Sequence, residues 1–302
     1  MTDELQRLEQ VRKLMVIAMF ADDDLMDLFA LKGGNALELI YKMNSRASTD
    51  IDFSMRKEFS EIGLNTDEEI KLKLEAALNS TFNEKGYTLY DVKLISKPKT
   101  DNKAIPFFAG YELKFKLIET DKYEAFKDNR HKLDKHAERS ANDGRVFSID
   151  LGRHEYCGDL RYDDLEFYQV TIYTPTLILL EKFRAICQQM EDYQLGLGKS
   201  VVSNKPRPRD FYDIYSIMKY FSESGTPIDL SSETNISHLK ESFDAKKVPL
   251  SLIGEIKNTR EFHKREEGKL DATVLDKQSY KGFDFYFDFV VQQIEENQLH
   301  LI

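Results

Sequence analysis

The segment LKGGNALELIYKMNSRASTDIDFSM, residues 31–55, constrains the chain more than any other. The glycine pair Gly33-Gly34 opens a stretch in which Leu37, Ile40 and Tyr41 share one helical face. A polar loop follows, and then DIDFSM alternates strictly. On a strand, Asp50, Asp52 and Ser54 face one way, and Ile51, Phe53 and Met55 face the other. The strand must bury its apolar face while the opposite face carries two carboxylates.

Two carboxylates that close repel, so stability alone does not select the pair. A divalent cation removes the conflict. Mg2+ takes oxygen ligands and commonly binds one or two carboxylates together with substrate phosphates. Two such ions about 4 Å apart activate a hydroxyl and stabilise a leaving pyrophosphate. A third carboxylate is expected from a neighbouring strand, and Asp150 in VFSIDLG is the candidate. Ser148 and Asp150 share one face there, and Phe147, Ile149 and Leu151 the other. A lone D-x-D is usually just a solvent-facing strand. Two neighbours shift the balance here. Backbone N–H groups at Gly33 and Gly34 can hold phosphates at a helix start. Arg46 and Ser48 sit in the loop that leads into the strand.

The chain has 302 residues, 41% hydrophobic and 32% charged, which fits a folded protein of one large or two ordinary domains. Its formal net charge of −10 argues against a nucleic-acid coat over the whole surface and leaves room for a local basic patch. No apolar run approaches the roughly 20 residues of a membrane span. The charged amphipathic start, MTDELQRLEQVRKLM, has no signal-peptide stretch. Cys157 and Cys187 lack metal-like spacing, so a reducing cytoplasm is expected.

Residues 1–30 read as helical, residues 66–85 as an amphipathic helix, and YTLYDVKLI and YELKFKLIE as neighbouring antiparallel strands. The charged segment 121–144 reads as a solvated loop or insertion. From Thr174 the pattern turns helical. Thr174 is an N-cap followed by proline, and the stretches at 208–221, 251–264 and 284–298 follow as helices. The layout is an α/β domain over 1–170 and a helical C-terminal domain over 171–302.

KGGNAL followed by R-x-S-x-D-I-D-F resembles the signature of the AbiEii/AbiGii toxin family of nucleotidyltransferases. That family lies in the DNA-polymerase-β-like superfamily and includes the MenT toxins. KFRA at 182–185 and RPRDFYDIY at 207–215 resemble the family's later motifs, in the expected order. The resemblance covers about residues 30–220. Asn35 departs from it, standing where the family often has Thr or Ser. The resemblance implies an α+β fold, with a nucleotidyltransferase-type mixed sheet, flanking helices and a helical C-terminal domain.

It also implies roles. Gly33 and Gly34 cradle phosphates. Asp50, Asp52 and Asp150 hold Mg2+. Lys182 and Arg46 grip the triphosphate of an NTP. Asp210 activates the acceptor hydroxyl, and Asp213 is structural. Ser48 contacts phosphate or itself accepts a transferred group. Read from residues alone, Lys182 is an ordinary helix lysine, and Asp210 is an acid at a helix start. The implied biology is a toxin paired with a separately encoded antitoxin and linked to phage defence. MenT relatives add nucleotides to the 3′ end of tRNA, so tRNA or another RNA is the expected acceptor.

Two rivals stand. One is transfer to a small molecule or a protein, which the acidic net charge favours. The other is a nucleotide-binding module without turnover. His154, Glu155 and Cys157 could suggest zinc, but no second ligand pair has the spacing. The basic cluster at 199–209 adjoins the Asp210 motif and is the best candidate for an RNA backbone contact.

Overall fold

The computed structural model describes residues 3–43, 51–97, 106–140, 144–198 and 204–302. Arg46, Ser48 and Asp50 lie outside the described residues, as does much of the basic cluster at 199–209. The chain divides into two compact units. The first comprises residues 1–40, 48–157 and 161–172, and the second comprises 41–47, 158–160 and 173–302.

Helix α1 of the first unit (Asp3–Phe20) buries Val11, Leu14, Met15 and Ala18. The aspartate run after it ends the helix, because Asp22 Oδ1 accepts from the N–H groups of Asp24 and Leu25 at 3.1 and 3.2 Å. Helicity therefore stops well before residue 30. Strand β1 (Phe29–Lys32) follows and runs straight into α2 (Gly33–Asn35), which continues as a π-helical turn over Ala36–Ile40. Strand β2 is Ile51–Met55. Helix α3 (Asp67–Asn83) starts at a capping box, in which Thr66 Oγ1 accepts from Glu69 N–H and Glu69 answers to Thr66 N–H.

The remaining strands are β3 (Tyr87–Lys97), β4 (Gly110–Glu119), β5 (Phe147–Gly152), β6 (Leu160–Leu165) and β7 (Tyr168–Tyr173). They form one mixed sheet in the order β3-β4-β5-β2-β1-β7-β6. Strand β2 is antiparallel to β1 and parallel to β5. Ile51, Phe53, Ile149 and Leu113 are fully buried on one face, where Phe53 meets Phe20 of α1 at 6.1 Å between ring centroids. Each fully buried aliphatic or aromatic side chain of this kind contributes about 2 kcal/mol.

The segment expected to be a solvated loop at 121–144 instead forms α4 (Thr120–Phe126) and α5 (Arg130–His136). Leu133 and Ala137 close a small core with Tyr90 and Ile118, against which Tyr123 and Phe126 pack. A few apolar residues at helical spacing outweigh the surrounding charge.

Within the second unit, Thr174 caps α6 (Pro175–Cys187) by accepting from Leu177 N–H at 3.1 Å. Helices α7 (Glu191–Gly196), α8 (Pro208–Glu223) and α9 (Glu233–Asp244) follow. A 3-10 segment at Leu250–Asn258 then leads to α10 (Arg260–Lys264), α11 (Glu267–Thr273) and α12 (Phe283–Glu296). Helix α6 packs on α8 and α9, and α8 packs on α12. Phe211 of α8 meets Phe283 and Phe287 of α12 at 5.3 and 5.2 Å between ring centroids. Phe283, Tyr286 and Phe287 of the aromatic C-terminal stretch are thus core. Among the described residues, no helix is long and apolar enough to cross a membrane.

Candidate active site

Strand register builds the first cluster. Asp52 is the Cα partner of Lys32 on β1 and of Asp150 on β5, and Asp150 is the partner of Glu112 on β4. Register partners project to the same face. Lys32, Asp52, Asp150 and Glu112 thus form one row across four strands, on the face opposite Ile51 and Phe53. Neighbouring strands lie about 4.8 Å apart, so the carboxylates of Asp52 and Asp150 are adjacent.

The glycine turn meets this row at Asp52. Gly33 has φ +67, a conformation that L side chains rarely adopt, and a Cβ there would lie 3.4 Å from Asp52 Oδ2. Glycine is therefore required for the backbone angle, while a Cβ there would do no more than touch Asp52. Arg12 of α1 anchors the same segment. Its Nη1 donates to Asn35 Oδ1 at 3.3 Å and to Glu38 Oε2 at 2.6 Å, and its Nη2 donates to Glu38 Oε1 at 2.5 Å. Asn35, the departure noted in the sequence, is buried and serves this anchor.

Cations border the row. Lys32 Nζ lies 3.3 Å from Glu155 Oε1. Lys97, at the end of β3, donates to Asp150 Oδ1. Lys114 Nζ lies 3.1 Å from Glu112 Oε1. Glu155 is engaged by Lys32, and Cys157 is partly exposed.

The second cluster lies in the helical unit. Lys182 of α6 donates to Asp210 Oδ1 at 3.0 Å and to Asp213 Oδ2 at 2.6 Å, both on α8. Arg207 donates to the other oxygen of Asp210. The Lys182 side chain is 12% exposed, and those of Asp210 and Asp213 are 4% and 2%. Burial alone would raise the Asp210 pKa, but Arg207 and Lys182 reverse this and hold it well below the usual carboxylate range. The carboxylate side of α8 is thus buried, as its apolar side is. His263 stands behind this cluster. It is fully buried, and its Nδ1 accepts from Arg207 N–H at 2.9 Å. Arg184, two residues beyond Lys182, turns elsewhere, to Glu181 and Gln188. Cys187 is buried, which pushes its thiol pKa up and removes it as a nucleophile.

The sequence profile described as "Nucleotidyl transferase AbiEii toxin, Type IV TA system" matches residues 16–296. The chain belongs to the AbiEii family. It is a nucleotidyltransferase of a family of toxins from type IV toxin–antitoxin systems. Among solved structures, this AbiEii chain is similar to JHP933 from Helicobacter pylori. That match has 17% identity and a TM-score of 0.50, and covers 100% of this chain and 97% of that one. The likeness is one of fold. A match to MenT4, a nucleotidyltransferase toxin from Mycobacterium tuberculosis H37Rv, has 12% identity and a TM-score of 0.40, and covers 77% of this chain and 71% of that one. Among curated proteins no significant sequence relative is found.

The first cluster fits a divalent cation in kind. Asp52 and Asp150 offer hard oxygen donors side by side, and a lysine ammonium already sits on Asp150. Among the described residues no group of three or more His, Cys, Asp or Glu side chains is arranged to hold a metal, and Asp50 lies outside them. Nothing in the sequence marks a role for Lys32, Lys97 or Glu112, Arg207 stands there as part of the basic cluster at 199–209, and Asp213 reads as structural. Alternation in YELKFKLIE places Glu112 and Lys114 on one face, but only the β3-β4-β5 register brings that face beside Asp150.

Proposed function

We propose that this AbiEii-family chain transfers a nucleoside monophosphate from an NTP to an RNA hydroxyl, with the 3′ end of tRNA as the leading acceptor, in a Mg2+-dependent reaction. The row of Asp52 and Asp150 at equal register, closed on one side by the Gly33 turn, carries this reading. Asp52 and Asp150, with Asp50 before them, would hold the metal ions. When bound, these ions neutralise phosphate charge and favour ionisation of the attacking hydroxyl. The acceptor hydroxyl loses its proton to solvent, its oxygen bonds to the α-phosphorus, the bond from that phosphorus to the bridging oxygen breaks, and pyrophosphate leaves.

The roles of this chain's residues are orientation and charge neutralisation. Backbone N–H groups at Gly33 and Gly34, and Arg46, would meet phosphate oxygens. Lys182 contributes positive charge to nucleotide binding. Asp210 is held ionised by Arg207 and Lys182, which makes it a weak proton acceptor, since a general base works best with a pKa near the working pH. Its role together with Asp213 is to orient Lys182. Ser48 remains a phosphate contact.

One surface feature supports a polyanionic acceptor. Lys93 and Lys97 on β3, and Lys114 and Lys116 on β4, lie on the face of Asp150. Each is paired with a carboxylate: Lys93 with Asp91, Lys97 with Asp150, Lys114 with Glu112 and Lys116 with Asp134. Pairs this exposed are weak, so Lys93, Lys97 and Lys114 can turn from them to a phosphate backbone. A cytoplasmic setting and a cognate antitoxin follow from this reading.

The test is label transfer. Purified protein is incubated with Mg2+, each of the four α-labelled NTPs in turn, and total bacterial tRNA. Label on the RNA supports the proposal. Label on the protein itself, with Ser48 the first position to map, would replace the RNA acceptor with self-modification.

A further inference from the structure

Lys97 is the last residue of β3. Its Nζ contacts Asp150 Oδ1 at 2.5 Å and lies 3.8 Å from Glu112 Oε2. Asp150 and Glu112 are Cα partners on β5 and β4, so one ammonium stands at the edge of two neighbouring carboxylates. Lys114 holds the other oxygen of Glu112 at 3.1 Å.

We propose that Lys97 is a resident counter-cation for Asp150 in the metal-free protein, and that Glu112 is the berth it moves to when a divalent cation takes Asp150. This rests on reading Asp52 and Asp150 as metal ligands.

Asp52 and Asp150 repel when no cation is present, and an ammonium on Asp150 relieves that repulsion. The same ammonium competes with an incoming metal for the lone pairs of Oδ1. A lysine suited to yielding should be hydrated, flexible and provided with a second partner. Lys97 meets all three conditions. Its side chain is 41% exposed and that of Asp150 35%, so the pair is screened and weak. Its four-carbon stem rotates freely. Glu112 is 17% exposed, fixed by Lys114, and within a small stem rotation of Lys97. Lys182 offers the contrast, because it is buried between two buried carboxylates and its place is fixed. Without Glu112, release of Asp150 would leave the ammonium without a carboxylate to receive it.

The role separates from that of an ordinary surface ion pair by the sign of its effect on metal affinity. Mn2+ would serve as the probe, titrated into the full chain without nucleotide and followed by loss of the free-ion paramagnetic resonance signal. Lys97→Met keeps the stem and removes the charge, and should bind Mn2+ about two- to fivefold more tightly, the range that a partly exposed ion pair allows. Glu112→Gln should weaken binding by a similar factor, because Lys97 then has only Asp150. The double variant should bind like Lys97→Met, and Lys97→Arg like the wild type. Unchanged or weaker binding by Lys97→Met would overturn the proposal. So would an equal loss from Glu112→Gln in the Lys97→Met background, which would make Glu112 itself a ligand. Asp150→Asn separates the two levels. If it binds Mn2+ as the wild type does, the ligand reading fails and the counter-cation role fails with it. If it weakens binding while Lys97→Met has no effect, only the counter-cation role fails.

Discussion

Gly33 and Asp52 approach each other where β1 passes into α2. The backbone of Gly33 is left-handed at φ +67, and a Cβ there would lie 3.4 Å from Asp52 Oδ2. Gly33→Ala should therefore cost about 1–2 kcal/mol from the backbone angle alone. Because the strained turn touches Asp52, its relaxation also shifts the site, and activity should fall by more than stability does. Denaturant unfolding beside nucleotidyl-transfer kinetics measures both. Full turnover in Gly33→Ala would separate the turn from the site.

Lys182 and Arg207 together neutralise two buried carboxylates. Lys182→Ala leaves Asp210 and Asp213 buried with less compensation, and breaking a buried pair from one side costs about 3–5 kcal/mol. Chemical denaturation should show that loss in the helical unit. A triple change that also converts both aspartates to Asn should recover much of it. Activity lost in Lys182→Ala should not return in the triple variant if Lys182 serves the nucleotide.

Acid should destabilise the helical unit in two stages. Burial lowers the His263 pKa from 6.5 to about 4, outweighing the nearby charge of Asp210. The unfolded chain then takes up this proton near pH 6.5, while the folded chain does so only near pH 4. Stability therefore falls as pH drops between those values, by about 3 kcal/mol in all. Asp210 acts below that. Its folded pKa is depressed from 3.8, so its contribution is present above that value and is lost as pH falls further. His263→Gln should flatten the first stage in thermal melts recorded from pH 7 to pH 4.

Asp52 and Asp150 were legible because alternation alone assigns each to the face opposite its apolar neighbours. Thr174 and Pro175 announced α6 for an equally local reason. Strand β1 was hidden, because the apolar residues from Met19 to Phe29 contain no glycine or proline and read as one helix, while Asp22 ends the helix through its side chain. Helices α4 and α5 were masked by charge, since their small core needs Tyr90 and Ile118 from distant strands. The contacts of Lys97 and Glu112 with Asp150 depend on the register of three strands, and that of Lys182 with Asp213 on how α6 packs against α8. Local spacing places a side chain on a face. It does not say which neighbour that face will meet.

The pairing of Asp52 with Asp150 as the catalytic centre is tested most directly by label transfer from α-labelled NTP to tRNA in Mg2+, comparing the wild type with Asp52→Asn and Asp150→Asn. Each variant should keep the wild-type fold by circular dichroism and lose transfer by at least about a hundredfold. Transfer by Asp150→Asn at the wild-type rate would contradict the account, because the residue at equal register with Asp52 would then be a neighbour of the site and no part of its chemistry.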